Sequence, residues 1–394
     1  MKGSSIEMKN AEWIWLDAQR HPDMQRCRVN IMDTPKDGQR FAVCAFRYKR
    51  TFKEIPLRLV FEVSGDTTFR FECNGDYIGR GPAAVGGDFE FPSAMPCIYS
   101  SFYEYRPKTA EIEIYAEVKM GSDVMTEYSC GGGGFYLDCE VIYRKGKSER
   151  FGTGKDWECR VMPAFLNCRD ADFRLLPSEW EQAEISPITR KLQPAPIRNI
   201  AEEAVISGDF EPFTVGAGEK QTKIFDFDRI YAAYPIIAVE GGDDTEIVVT
   251  AQETADSSQA AGKIIFAGTG KHRFLRMFSV GALEISVNNR GKTPVTVTDA
   301  SIIAVSYPTA TSLVNEKRED REGDFYCSDE YLNRLYELCR HTARICRQSL
   351  HLDSPRHQET LACAGDYLVE SLIDAYAFGD HELLALILCG SRSF

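Results

Sequence analysis

The sequence predicts a mostly β chain that turns α-helical near its end, with two β-sandwich domains in series followed by a helical segment. Three observations predict it. Apolar and polar residues alternate with period two through several short runs. Turn signals such as Asn-Gly and Gly-Gly-Asp-Asp separate those runs. After residue 328 the apolar spacing changes to that of a helix. The expected divisions are 1–185 and 186–314 for the sandwiches and 315–394 for the helical part.

In the first region, Leu57, Leu59, Phe61 and Val63 alternate with Arg58 and Glu62. In AEIEIYAEV, Ile112, Ile114, Ala116 and Val118 share one face, with glutamates between them. Such alternation marks half-buried antiparallel strands. Asn74-Gly75 falls between Phe69-Arg70-Phe71 and Tyr77-Ile78, and Asn-Gly readily takes the positive φ angles of a two-residue hairpin turn. The glycines at 131–134 read as a bulged turn with close backbone approach. They are not a phosphate cradle, because no helix-opening GK[ST] follows.

Pro187, Pro194 and Pro196 mark a connector. In the second region, IFDFDRIYAAYPIIAVEGGDDTEIVVTAQE reads as strand, strand, turn, strand, and LEISV and VTVTDASIIAV continue the pattern. NEKREDREGD, residues 315–324, is a solvated charged connector. Beyond it, Leu332, Leu335, Cys339, Ala343, Cys346 and Leu350 recur at helical spacing. Ser328 is the expected N-cap and Pro355 the expected stop. A second helix is expected from near Gly365 to Phe378, ended by Gly379, with a third after Asp380.

Bulk properties exclude several functions. The 394-residue chain carries a net charge of −13, which repels phosphate backbones, and it has no basic aromatic stripe, so nucleic acid is not an expected partner. A neutral substrate such as a glycoside suits that charge. No apolar run is long enough to cross a membrane, and the start lacks the apolar core of a secretory signal. The 13 cysteines, without CxxC spacing, read as reduced core residues, which points to a cytoplasmic location. GKS at 146–148 and GKT at 291–293 lack the upstream glycine of a phosphate-binding loop. His351, His357, Cys363 and His381 fit no familiar zinc spacing. Asp243 and Asp244 fit a turn as well as they fit calcium. The sequence therefore calls for no cofactor or metal.

The segment LDSPRHQETLACAGDYLVES, residues 352–371, places three carboxylates, Asp353, Glu359 and Asp366, where charge is otherwise sparse. A plain structural account exists: Asp366 in the first turn of a helix, where the dipole favours an anion, Asp353-Ser354-Pro355 as a turn, and Glu359 on the surface. The same residues suit glycoside hydrolysis. That reaction needs a protonated acid near the leaving oxygen and a second carboxylate for water or for attack. The acid must stay protonated near neutral pH, through burial or neighbouring negative charge. Glu359, flanked by Asp353 and Asp366 and followed by Leu361, is the candidate general acid. Asp353 would hold sugar hydroxyls, and Arg356, His357 and Gln358 would supply orienting hydrogen bonds.

Asp353-Ser354-Pro355, then Glu359, then Gly365-Asp366 resembles the D-C-P-x-x-x-E…G-D signature of bacterial α-L-rhamnosidases, glycoside hydrolase family 78. FYCSDEYLNRLYELCRHTARICRQSLHLDSPRHQE resembles the helix and loop that open that family's six-hairpin (α/α)6 barrel. FDFDRIYAAYPIIAVEGGDDTEIVVTAQE resembles the sandwich that precedes the barrel, and FRFECNGDYIGRGPA the N-terminal lectin-like sandwich. The resemblance implies Glu359 as general acid, Asp353 and Asp366 as sugar ligands, inversion at the anomeric carbon, and a rhamnose-containing glycoside as substrate. It also implies a water-activating glutamate much later in the barrel. Three positions depart from the pattern: Ser354 replaces Cys, His357 replaces Arg although Arg356 lies beside it, and Ala362-Cys363 replaces Gly-Trp. The lost Trp would have formed a pocket wall, which leaves the exact sugar open.

A six-hairpin barrel needs about twelve helices of ten to fifteen residues, and about three are expected here. The reading is therefore the N-terminal part of a glycosidase, inactive alone, with Leu383, Leu384, Leu386, Ile387 and Leu388 partly exposed. The alternative is a non-catalytic carbohydrate-binding protein that uses Trp13, Trp15, Trp157 or Trp180 as sugar platforms, although each is more readily a core residue.

Overall fold

A computed structural model describes residues 11–31, 34–83, 98–124, 126–144, 146–187, 191–254, 256–309, 322–358 and 364–385. Strands fill the chain as far as Val295–Ser306, and helices follow: Glu330–Cys346 (α1) and Ala364–Ile373 (α2). The mostly β fold with helices at the end is as the sequence predicts. Among the described residues, no helix is long and apolar enough to cross a membrane.

The first sandwich packs a seven-stranded sheet on a six-stranded one. Glu111–Met120 and Thr68–Cys73 alternate buried and outward positions as expected, and Leu59, Phe61, Val63, Ile114, Ala116 and Val118 are fully buried in the shared core. Leu57 is a correction: it precedes the strand Arg58–Asp66, at the rim of the core, and is 47% exposed. Asn74 and Gly75 take φ of 53° and 80° and close the hairpin between Thr68–Cys73 and Asp76–Gly81. In the glycine cluster, a Cβ on Gly133 would lie 1.8 Å from the Trp15 ring, so only glycine permits that approach. Cys44, Cys73, Cys139 and Cys159 sit in this core, where burial pushes the Cys73 and Cys159 thiols up to about 12.

The second sandwich is a nine-stranded sheet folded around its own core. The stretch expected to be two strands is one, Lys220–Gly241. Its first half pairs with Phe278–Asn289 and its second with Val295–Ser306, with a register break between Asp226 and Tyr231. That irregularity bends a single strand across both layers. Gly241 and Gly242, at φ 75° and 69°, form the expected turn. Asp243 and Asp244 hold that turn to the next: Lys292 N–H donates to Asp243 (2.7 Å) and Arg290 to Asp244 (2.9 Å).

The proline connector is not plain coil. Ala171–Asp172 pairs with Ser257–Phe266 in the second sandwich, and Glu184–Ile185 returns to the first. Leu192–Pro194 then runs parallel to Ile98–Tyr105, and Ala201–Ile206 enters the second sandwich. Charge also joins the two sandwiches. Arg80 and Arg70 both reach Glu202 (3.3 Å each), Arg273 reaches Glu117 (2.6 Å), and the Arg80 guanidinium lies 3.8 Å from the Tyr234 ring centre.

The helical segment docks on the second sandwich, with Ile345 and Leu352 packed among Ala232, Ile236, Ile303 and Val305. Two expectations shift. The cap of α1 is Asp329, whose side chain accepts from Tyr331 N–H (2.9 Å), rather than Ser328. The helix stops at Arg347, well before Pro355, because Arg347 turns extended (φ −80°, ψ 103°) and bridges to His351. The α1 stripe is buried only at its C-terminal end: Leu332 and Leu335 are 42% and 40% exposed, and Cys339 is exposed as well. After α2 the chain widens into a π-turn, Asp374–Phe378, and ends at Gly379 in the left-handed region, as expected. Residues 382–385 begin the third helix. Leu383 is a further correction, 1% exposed and packed with Tyr99, Ile197, Tyr307 and Leu350. Leu384 is half-buried, and Leu386, Ile387 and Leu388 lie outside the described residues.

Candidate active site

The loop that follows α1 rests on a bed of buried charge. Arg347, fully buried, lies with Nε 2.6 Å from Asp374 and Nη2 2.8 Å from Asp380. Its guanidinium stands 4.6 Å and 5.3 Å from the ring centres of Phe378 and Tyr307. His351, also fully buried, places Nε2 2.9 Å from the other oxygen of Asp374. Arg198 extends the network to Asp380 (3.3 Å) and Glu382 (2.8 Å), and Tyr307 donates its hydroxyl to Glu382. Burial alone would raise the carboxyls of Asp380 and Glu382. The Glu382 N–H and Arg347 hold Asp380 below the usual range instead, and Arg198 and Tyr307 do so for Glu382. A buried ion needs such partners, because its unpaired charge costs several kcal/mol.

Above this bed the loop is tightly tied. The Ser354 hydroxyl accepts from His357 N–H (3.1 Å), and Gln358 N–H donates to the Ser354 carbonyl (2.9 Å). Gln358, buried and at φ 57°, donates through Nε2 to the Met277 carbonyl of the second sandwich (2.7 Å). Asp353 and His357 stand together at the surface, with His357 Nδ1 3.1 Å from Asp353 Oδ2. The sequence expected Arg356 to face a substrate. It bonds to Ser257 and to the Ser258 carbonyl (3.2 Å) and lies 3.7 Å from Glu253. Asp366 sits in the first turn of α2, exposed, as the helix dipole favours. Glu359, the candidate acid, lies outside the described residues, as do Ala362 and Cys363.

Glu370 was not anticipated. It follows Asp366 by one helical turn, and its Oε2 is buried with no hydrogen-bond partner among the described residues. Burial pushes its carboxyl up, helped by Asp374 and Asp366 and opposed by His351 and Arg347. The i, i+4 spacing from Asp366 was its only signal in the sequence. Among the described residues, no group of three or more His, Cys, Asp or Glu side chains could hold a metal ion.

Residues 320–391 match the family model of the bacterial alpha-L-rhamnosidase 6 hairpin glycosidase domain, a span that contains the loop, α2, and Arg347, His351, Asp374 and Asp380 of the bed. The resemblance to the bacterial α-L-rhamnosidases holds. No curated protein sequence matches the chain. Solved structures extend the likeness of fold over nearly its whole length. The α-L-rhamnosidase from Dictyoglumus thermophilum superposes with a TM-score of 0.69 at 17% identity, over 98% of this chain and 44% of that one. The GH78 family rhamnosidase of Bacillus sp. GL1 gives 0.70 at 12% identity, over 97% and 63%. The Aspergillus terreus α-L-rhamnosidase gives 0.66 at 15%, over 91% and 44%. The chain thus spans less than two thirds of each of these three rhamnosidase structures.

Proposed function

We propose that the chain carries the acid half of a glycoside hydrolase site that removes terminal L-rhamnose, or a related deoxy-sugar, with inversion. The observation that supports this reading is the rhamnosidase-domain match across the Asp353-Ser354-Pro355, Glu359 and Gly365-Asp366 motif. In the proposed reaction Glu359 donates its proton to the glycosidic oxygen as the C–O bond breaks, and a water held by a second carboxylate attacks the anomeric carbon from the opposite face. Asp353 and Asp366 accept hydrogen bonds from sugar hydroxyls. His357, in contact with Asp353, fixes that carboxylate's orientation. Arg356, bonded into the second sandwich, serves to hold the loop in place rather than to touch sugar. The second carboxylate is proposed to come from later in the barrel, so this polypeptide alone binds sugar but turns it over little or not at all.

The carbohydrate-binding alternative has less support. Trp15 and Trp157 are buried, and Trp180 lies against Arg47 and Arg160, 4.2 and 4.3 Å from its ring centre. Trp13 packs on Tyr136 (5.6 Å). Two measurements test the proposal: release of chromophore from an aryl α-L-rhamnoside, and L-rhamnose binding by calorimetry. Binding that Asp353→Asn weakens about tenfold, without turnover, is expected. Brisk turnover by these 394 residues would sink the half-site reading, and no binding at high rhamnose concentration would sink the sugar-ligand roles.

A further inference from the structure

Where the two sandwiches and the helical segment meet, a cavity of about 110 Å³ opens behind the Asp353 loop. Gln348, Gln358 and Leu352 from the helical segment line it, with Arg80 from the first sandwich and Tyr234 and Arg276 from the second. Two features make it more than a packing gap. First, it presents unsatisfied polar atoms from well-buried side chains. Gln348 is 4% exposed, and its Oε1 accepts no hydrogen bond among the described residues, although its Nε2 donates to the Ile345 carbonyl (3.0 Å). Arg276 Nε, from another lining side chain, likewise has no hydrogen-bond partner among the described residues. A buried donor or acceptor left unsatisfied costs about 1–3 kcal/mol. Second, the charges around the cavity are already neutralised. Arg80 is paired with Glu202 (3.3 Å), Arg276 with Asp123 (3.3 Å), and Glu127 with Lys119.

We propose that this cavity is a binding site for a neutral polyhydroxylated molecule. A hydroxyl is both donor and acceptor, so adjacent hydroxyls on one ligand satisfy Gln348 Oε1 and Arg276 Nε together. A charged ligand would find no uncompensated counter-charge. Met277, Leu350 and Leu352 offer an apolar wall to the carbon skeleton. The volume holds about four waters at ~30 Å³ each, which suits a small free polyol or one edge of a sugar ring. The site is separate from the surface pair Asp353 and His357, which do not line it, and the proposal does not rest on the glycosidase reading.

Saturation-transfer NMR on the whole polypeptide, with erythritol and L-rhamnose titrated separately, tests it. Transfer to erythritol identifies a free polyol as the ligand type; transfer to L-rhamnose alone identifies a sugar ring. In either case Gln348→Met is expected to weaken the junction signal at least about tenfold. Should that variant fold poorly, Thr126→Phe, which fills the cavity from its half-exposed rim, is expected to do the same. Asp353→Asn removes any rhamnose signal that arises at the loop and leaves the junction signal intact. No transfer to either compound, or transfer that neither cavity variant diminishes, overturns the proposal and leaves the cavity a water pocket.

Discussion

Two buried histidines show how differently the sandwiches and the helical segment are built. His272 lies in the second sandwich, 3% exposed, with Phe165, Phe173 and Phe274 rings 5.8, 5.7 and 4.7 Å away and no hydrogen-bond partner among the described residues for either nitrogen. His351 lies under the candidate loop against a carboxylate, beside a buried guanidinium. In the second sandwich even an imidazole is packed as a ring among phenylalanines. The helical segment turns an apolar stripe partly outward and is fastened by paired charge. Apolar burial is tolerant of small changes in shape, whereas a buried ion pair fails when one partner goes. The loop beneath which those pairs lie is thus held in position firmly, but by few residues.

The largest expected effect tests that contrast directly. Arg347→Ala leaves Asp374 buried beside His351 and Asp380 with only Arg198, and is expected to cost about 3–5 kcal/mol, confined to the helical segment. Hydrogen exchange should quicken across residues 330–385 while the sandwich strands stay protected. Equal loss of protection in all three regions would show that they unfold as one unit and that the contrast is only local chemistry.

Next comes acid. Burial, with Arg273 nearby, lowers the His272 pKa to about 3, whereas an unfolded histidine titrates near ~6.5. The unfolded chain therefore takes up a proton that the folded chain refuses. Stability should fall as pH drops from about 6.5 towards about 3, by up to a few kcal/mol. His272→Phe should flatten that slope, which urea unfolding at several pH values would measure against the wild type. An unchanged slope would mean that water reaches the aromatic pocket.

A smaller effect is expected at Asp329→Ala, which removes the α1 cap and should cost about 1 kcal/mol, read as fraying of the first turn by hydrogen exchange. The smallest is at Glu370→Gln. Burial raises that carboxyl, so its ionised form opposes folding at neutral pH, and the opposition disappears as pH falls below the ordinary carboxylate range. The amide should raise the melting temperature slightly at pH 7 and not at pH 4, by less than about 0.5 kcal/mol after solvent screening.

How much of this was legible in the sequence followed the range of the interactions. The Asn74-Gly75 hairpin and the alternation at 111–118 are written within a few neighbouring residues, and they read correctly. Lys220–Gly241 did not, because a strand that bends and continues carries the same local pattern as two strands. The motif carboxylates were visible as residue types. Their support was not: Arg347 meets residues 27 and 33 positions later, and Arg356 meets a serine 99 positions earlier. No periodicity records such partners. Arg356 and His357 looked alike in the sequence, and only the fold separates the one that anchors the loop from the one that faces outward.

The weaving of residues 171–206 between the two sandwiches also sets an order of events on the ribosome. Ala171–Asp172, an edge of the second sheet, leaves the exit tunnel before Leu192–Pro194, which completes the first. The first sandwich is thus still unfinished when a piece of the second is already waiting, and neither can be sealed before the other has begun. A ribosome stalled at residue 185 would present Ile98–Tyr105 without its outer neighbour, an open edge for other chains to pair with. The two sandwiches are made as interleaved work, and the nascent chain is most vulnerable in the short interval between them.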